Sequence, residues 1–151
     1  MPDSSAKAPS LYETDFFAWA NQQAALLRAG RFEEAEIANI AEEIESMGRS
    51  EKRELISRLS VLLMHLLKWQ FQPAFRGNSW RLTIELQRND IADHLQDNPS
   101  LKSKLDETMA SAYRRARIEA AKETGLAATA FPSTCPWSYD EIIADTFWPE
   151  T

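Results

Sequence analysis

Apolar residues recur at three- and four-residue spacing along most of the chain, and this spacing is typical of amphipathic helices. Together with the residues that cap and break helices, it predicts five helical segments: residues 15–29, 32–47, 50–70, 78–98 and 100–124. No segment keeps the two-residue alternation of a half-buried β-strand for more than a few positions. The sequence therefore predicts an all-α, single-domain bundle of about five helices.

The second and third predicted helices carry the clearest apolar patterns. The second has a stripe of four residues and is expected to end at Gly48: Ile37, Ile40, Ile44 and Met47. The third is apolar over more than half its circumference, around a ridge of five residues: Leu55, Leu59, Leu62, Leu66 and Trp69. A helix with so wide an apolar arc must contact several others, so we expect it at the centre of the bundle.

The two ends of the chain differ from the helical segments. Residues 1–10 are polar and predict a flexible tail, which leaves 11–151 as one helical domain. From Ala127 onward, aromatic residues stand beside prolines, and Ser138 with Glu141 has the spacing of a capping box before a short helix. Because so many aromatic side chains are costly to leave in water, this segment is expected to cross the helices as a strap.

Composition and charge exclude several classes of partner. The 151 residues carry a net charge of −6, which argues against nucleic acid as a partner. The longest apolar run is far shorter than the ~20 residues that cross a bilayer, so no membrane segment is expected. A single cysteine, Cys135, rules out an internal disulfide. We expect a soluble, cytoplasmic protein.

Sequence motifs of common enzymes are absent. The four glycines are isolated and form no phosphate-binding loop, and no nucleophile elbow, HExxH or CxxC motif occurs. Asp90, His94 and Asp97 form a row on the fourth helix that can bind a divalent metal weakly, although such a row is more often ordinary helix surface. The sequence therefore predicts no catalytic residues, no metal and no cofactor, and it favours a non-enzymatic protein.

One group of polar and aromatic residues is a candidate ligand or interaction site: His65, Trp69, Gln72, Trp80, Arg81, Gln87 and Arg88. A histidine at the edge of an apolar arc is usually half-buried and hydrogen-bonded to a neighbour, and the alternative is ligand binding or proton transfer. Gln87 lies on the inward stripe of the fourth helix and needs hydrogen-bond partners there. Arg81 and Arg88 can bind a carboxylate or phosphate, although salt bridges to glutamates are the commoner role.

Leu82 and Leu86 lie on the opposite face of the fourth helix from Trp80. Either another segment of the same chain, with the aromatic strap as the first candidate, or a second subunit is expected to cover them. Because symmetric dimers are the commonest soluble assemblies, we predict a homodimer that uses these two leucines.

Several strings along the chain carry a family resemblance. They are Leu11–Asp15 with Phe17 and Trp19, Glu42–Glu45 with Gly48–Ser50, His65–Gln70 with Gln72-Pro73, Asn78–Arg81 with Gln87-Arg88, Glu123–Gly125 and Phe147–Pro149. In this order they resemble the bacterial domain-of-unknown-function family 29, over nearly the whole chain. The resemblance implies a helical bacterial cytoplasmic protein and implies no activity.

Two functions from different classes remain. The first is a non-enzymatic accessory or regulatory protein that acts through protein contacts or self-association. The alternative is a small-molecule or metal-binding bundle centred on His65, Trp69, Trp80 and Arg81. The sequence identifies neither the ligand nor the partner.

Overall fold

The computed structural model describes residues 10–150, which contain six α-helices and no β-strand. The helices are α1 (Leu11–Thr14), α2 (Phe16–Arg28), α3 (Ile37–Phe71), α4 (Asn78–Asp97), α5 (Leu105–Thr124) and α6 (Tyr139–Ile143). The predicted all-α fold is confirmed. Of the predicted N-terminal tail, only Ser10 lies within the described residues, so the boundary between tail and domain stays a prediction.

The contacts of the chain divide it into two compact units at Gly48. The first unit contains α1, α2 and the part of α3 up to Gly48, and the second unit contains everything from Arg49 onward. Helix α3 contributes residues to both units.

The predicted helix end at Gly48 is wrong, because α3 continues without interruption to Phe71. A glycine inside a helix costs only about 1 kcal/mol relative to alanine. The four residues from Glu51 to Glu54 are good helix formers, and burial of the leucine ridge after them stabilises the helix far more than one glycine weakens it. The glycine signal was therefore outweighed by the sequence on either side of it.

Other helix ends in the structure differ from the predicted ends by a few residues. Asp15, one of the two residues that can cap the first predicted helix, is the N-cap of α2, and its carboxylate accepts from the backbone N–H of Ala18 at 3.1 Å. Helix α3 begins at Ile37 rather than Phe32, and a 3₁₀ segment, Pro99–Lys104, precedes α5. Gly30 and Gly125 follow helices with positive φ, as their predicted place at helix ends requires.

The core of the second unit forms around the leucine ridge of α3. Leu55, Leu59, Leu62 and Leu66 are completely buried, and Trp69 packs against them at the edge of the core. Helices α4 and α5 contribute the facing residues: Ile84, Ile91, Leu95, Met109, Ala112, Tyr113, Ala116 and Ala120. The predicted ridge is therefore the apolar centre of this unit.

The C-terminal strap packs on this core as predicted. Phe131 lies 5.2 Å from the ring of Phe71, and Trp148 lies 4.6 Å from the ring of Trp69. The capping box of Ser138 and Glu141 is present and opens α6. The strap is thus part of the folded second unit.

Within the described range, every helix is too short or too polar to cross a lipid bilayer.

Candidate functional site

The first unit has an unusual distribution of polar and apolar contacts. Its internal hydrogen bonds converge on two glutamates near the start of α3. Glu36 accepts from the indole N–H of Trp19 and the amide of Gln23, each at 3.0 Å. The backbone N–H of Glu36 donates to Gln23 Oε1 at 2.7 Å. These carboxylates therefore attach α1 and α2 to the polar side of α3.

The second glutamate, Glu43, accepts from the hydroxyl of Tyr12. Because the tyrosine must give up this bond when it ionises, the contact raises the pKa of Tyr12 to about 12. The ring of Tyr12 also lies 4.5 Å from that of Trp19. Aromatic contacts thus hold α1 and α2 together, and hydrogen bonds to the two carboxylates hold them to the start of α3.

The side of α3 next to Glu36 and Glu43 is apolar and open. We call its four residues the α3 stripe: Ile37, Ile40, Ile44 and Met47. Ile37 is 54% exposed, Ile44 is 58% exposed and Met47 is 62% exposed, while Ile40 is half-buried. The sequence predicted this stripe, but it did not predict that the chain leaves it uncovered.

A polar cleft lies between α3 and α4 in the second unit, and it has a volume of about 470 Å³. Five carboxylates and one guanidinium line it together with His94 and Asn98: Glu51, Glu54, Asp90, Asp93, Asp97 and Arg58. His94 is only 8% exposed, and its Nε2 lies 2.8 Å from the backbone carbonyl of Glu51. Its Nδ1 lies 3.0 Å from a carboxylate oxygen of Glu54.

Sequence reasoning found the Asp90–His94–Asp97 row of this cleft but missed Glu51 and Glu54. These two residues are 40 or more positions from His94, so only the packing of α3 on α4 brings them to it. The one local signal is that Glu51 and Glu54 continue the spacing of the α3 stripe, at positions where an amphipathic helix would be apolar.

The structure divides the predicted ligand residues among several places. His65 is half-buried, and its Nδ1 lies 2.8 Å from the carbonyl of Val61. Trp69 packs between Trp148 and the guanidinium of Arg76. Arg81 is exposed and donates to Asn78 within its own helix.

Gln72 and Trp80 are the two predicted residues that line one depression, with a volume of about 420 Å³. Lys68, which sequence reasoning did not single out, lies beside them. Its Nζ is 2.6 Å from a carboxylate oxygen of Glu123 and 4.7 Å from the centre of the Trp80 ring. The lysine charge is therefore already paired in this depression.

Arg88 and Gln87 face different surroundings. The guanidinium of Arg88 is buried and donates to the backbone carbonyls of Ile142 at 2.7 Å and of Phe147. Burial lowers the pKa of this guanidinium, although an arginine stays charged at any ordinary pH. The Gln87 side-chain oxygen is buried and has no hydrogen-bond partner among residues 10–150, so the expected partner for it is not found.

An apolar pocket of about 490 Å³ separates α5 from the strap, and aromatic side chains and Cys135 line it. Burial raises the pKa of the Cys135 thiol, which keeps it protonated and a weak nucleophile at neutral pH. Burial also raises the pKa of Tyr113, on the same wall, to about 12. This pocket therefore offers apolar surface rather than a reactive group.

Leu82 and Leu86 are 54% and 57% exposed. The strap packs elsewhere on the second unit, so of the two coverings that the sequence allowed, the strap is excluded.

Comparison with known proteins adds one finding. No curated protein and no solved structure matches the chain. Residues 11–148 match the family model described as Domain of unknown function DUF29. Because the match covers nearly the whole sequence, the chain belongs to this family.

Proposed function

We propose that this protein is a non-enzymatic interaction protein of the bacterial cytoplasm, and that it works as a homodimer joined through the α3 stripe. The observation that carries the proposal is the exposure of Ile37, Ile44 and Met47, although α1 and α2 contact the neighbouring residues Glu36 and Glu43.

The first unit buries too little to be stable by itself. Trp19 and Gln23 are its two buried side chains among residues 10–48. The same residues include eight of the twelve exposed large apolar side chains in the described chain: Leu11, Phe16, Phe17, Leu27, Phe32, Ile37, Ile44 and Met47. Since apolar burial is the main force that stabilises so small a unit, a partner surface is expected on it.

A second copy of the same stripe fits this surface. The four residues have the alternating spacing of the a and d positions of two heptads. In an antiparallel pair centred on position 42, Ile37 faces the partner's Met47 and Ile40 faces the partner's Ile44. Every stripe residue then meets another apolar residue, as a two-fold symmetric interface requires.

Charge favours the antiparallel direction. Residues 33–45 contain six glutamates and no lysine or arginine, whereas residues 49–53 contain three basic residues and one glutamate, Glu51. A parallel pair would place the two acidic segments side by side. An antiparallel pair brings the acidic segment of one copy toward the basic segment of the other, which lowers the repulsion.

The two-heptad stripe is a small interface. Stable dimers usually bury at least about 1,200 Å² in total, so this dimer is expected to dissociate in the micromolar range. A dimer of that strength lets protein concentration control assembly.

A ligand-binding role centred on His65, Trp69, Trp80 and Arg81 has less support. His65 Nδ1 and Arg81 Nη2 already have partners within their own helices, and Trp69 packs against Trp148. Fewer groups of these residues are then free for a ligand.

The experiment is sedimentation velocity over a concentration series, with three proteins. The first is the wild type, the second is Ile37→Glu/Ile44→Glu, and the third is Leu82→Glu/Leu86→Glu. The two double variants are matched, because each adds two charges to one helix at residues of nearly equal exposure. Circular dichroism checks that both keep their helices.

We expect a dimer for the wild type and for Leu82→Glu/Leu86→Glu, and a monomer for Ile37→Glu/Ile44→Glu. A wild type that stays monomeric at about 100 µM, well above the expected dissociation range, would contradict the proposal. So would a dimer that only the Leu82→Glu/Leu86→Glu variant disrupts, because the contact would then be on α4.

A further inference from the structure

The polar cleft between α3 and α4 brings three potential metal ligands together. One ligand atom from each of Glu51, Glu54 and His94 can be chosen so that all lie within 4.8 Å of one another. Ligands that share one ion at about 2.0–2.2 Å are separated by up to roughly 4.4 Å, so small rotations of the two glutamates bring all three into range. Both glutamate side chains are about half exposed, and Glu54 also accepts a hydrogen bond from Arg58 at 3.2 Å.

The orientation of His94 points to a cation. The carbonyl of Glu51 can only accept a hydrogen bond, so Nε2 at 2.8 Å carries a proton. Nδ1 faces Glu54, whose carboxylate oxygen is 3.0 Å away. Two acceptors at this distance repel each other unless a proton or a metal ion lies between them.

The same arrangement is how proteins prepare a histidine for a metal. A ligating imidazole usually donates its other N–H to a carbonyl or carboxylate, which fixes the ring and the tautomer. Here the Glu51 carbonyl does this for a ring that is more than nine-tenths buried. The buried ring cannot exchange these partners for water.

The charge around the ring also favours a cation over a proton alone. Arg58 lies 3.1 Å from an Asp90 oxygen and 3.2 Å from a Glu54 oxygen, so one guanidinium faces two of the five carboxylates. The cleft stays strongly negative after this pairing. A divalent ion neutralises more of that charge than one proton does.

We propose that Glu51, Glu54 and His94 bind a first-row divalent transition metal ion, and that Zn²⁺ is the tightest of the ions commonly available. One imidazole and two carboxylates suit Zn²⁺, although affinities of such N/O sites rise from Mn²⁺ to a maximum at Cu²⁺ and are lower again at Zn²⁺. Three protein ligands leave a coordination position open to water or to a carboxylate such as Asp97.

The test is isothermal titration of chelator-treated protein with ZnCl₂ at neutral pH. The chain has two histidines, so His65→Asn is the matched control for His94→Asn. Glu54→Gln is the second variant, because this exposed side chain can change without loss of the fold. We expect one Zn²⁺ per chain in wild type and His65→Asn, and at least tenfold weaker binding in the other two variants.

The proposal is overturned if the wild type does not bind Zn²⁺, since a proton would then occupy the position between His94 and Glu54. It is also overturned if Glu54→Gln binds as well as the wild type, because the ion would then sit elsewhere, for example at Cys135. The melting temperature gives an independent reading. Added Zn²⁺ is expected to raise it in wild type and His65→Asn only.

Discussion

At the scale of single residues, burial decides what the polar side chains of this protein can do. The side chain of His65 is half-buried and that of Arg88 is almost completely buried. Each of them is hydrogen-bonded to a backbone carbonyl. The common role of a half-buried histidine, a hydrogen bond to a neighbour, was foreseeable from the position of His65 at the edge of an apolar arc. The role of Arg88 was not, because its partners are more than 50 residues away.

His65 gives the protein a pH-dependent stability. Burial lowers the pKa of His65 in the folded chain below its ordinary value of 6.5. The unfolded chain therefore takes up this proton at a higher pH, so the stabilisation is complete above pH 6.5 and is lost as the pH falls. His65→Gln should lose less stability than the wild type between about pH 7.5 and about pH 5.5.

Urea unfolding of both proteins across this pH range measures the difference. Because His94 and the carboxylates are present in both, their contribution cancels in the comparison. Parallel curves for wild type and variant would show that His65 does not have the lowered pKa.

Arg88 is expected to hold the strap in place. Arg88→Met leaves the buried carbonyls of Ile142 and Phe147 without a donor, which should cost about 2–4 kcal/mol of unfolding free energy. Arg88→Lys should restore little of it, since one ammonium cannot replace a fork of donors. Chemical denaturation measures the loss, and limited proteolysis tests whether cleavage begins after Ala127.

The matched control is Arg81→Met, the same change seven residues earlier at an exposed position. It should alter stability by no more than about 0.5 kcal/mol. An equal effect of both variants would mean that the bonds of Arg88 to the strap contribute nothing particular.

At the scale of the elements, α3 shows how far a periodic pattern can be trusted. Its leucine ridge was predicted residue by residue, because burial against several helices requires a wide apolar arc. The continuity of α3 through Gly48 was not predicted, because a glycine is a common signal for a helix end. The free energy that stabilises the helix beyond Gly48 comes from burial of the leucine ridge, which is a tertiary effect. The failure of that signal has a measurable consequence.

Gly48→Ala should stabilise the protein by about 0.5–1 kcal/mol. Gly48 lies inside α3, and a Cβ added there meets no atom within 4 Å. Gly125→Ala is the contrasting variant, since φ at that helix end is +76° and alanine is strained there. It should destabilise, and urea unfolding that gave both variants the same sign would contradict the assignment of Gly48 to the helix interior.

At the scale of the whole molecule, the sequence indicated which faces are apolar but not which of them the chain covers. The α3 stripe and the Leu82–Leu86 pair follow the same periodic rule as the buried ridge, and both remain exposed. The cleft of Glu51, Glu54 and His94 was not predicted from the sequence either, because its residues come from two helices that are separated in sequence. Faces and clefts of this kind depend on packing, which one-dimensional spacing does not contain.

The most direct test of the proposed dimer is disulfide formation across the α3 stripe. In a Cys135→Ser background, Ile40→Cys and Ile44→Cys are oxidised separately and as a mixture, and linked dimers are counted by non-reducing electrophoresis. An antiparallel pair centred on position 42 predicts a dimer linking Cys at 40 to Cys at 44 in the mixture and little product in either variant alone. Efficient linking of either variant to itself, or no linked dimer in the mixture, would contradict the account.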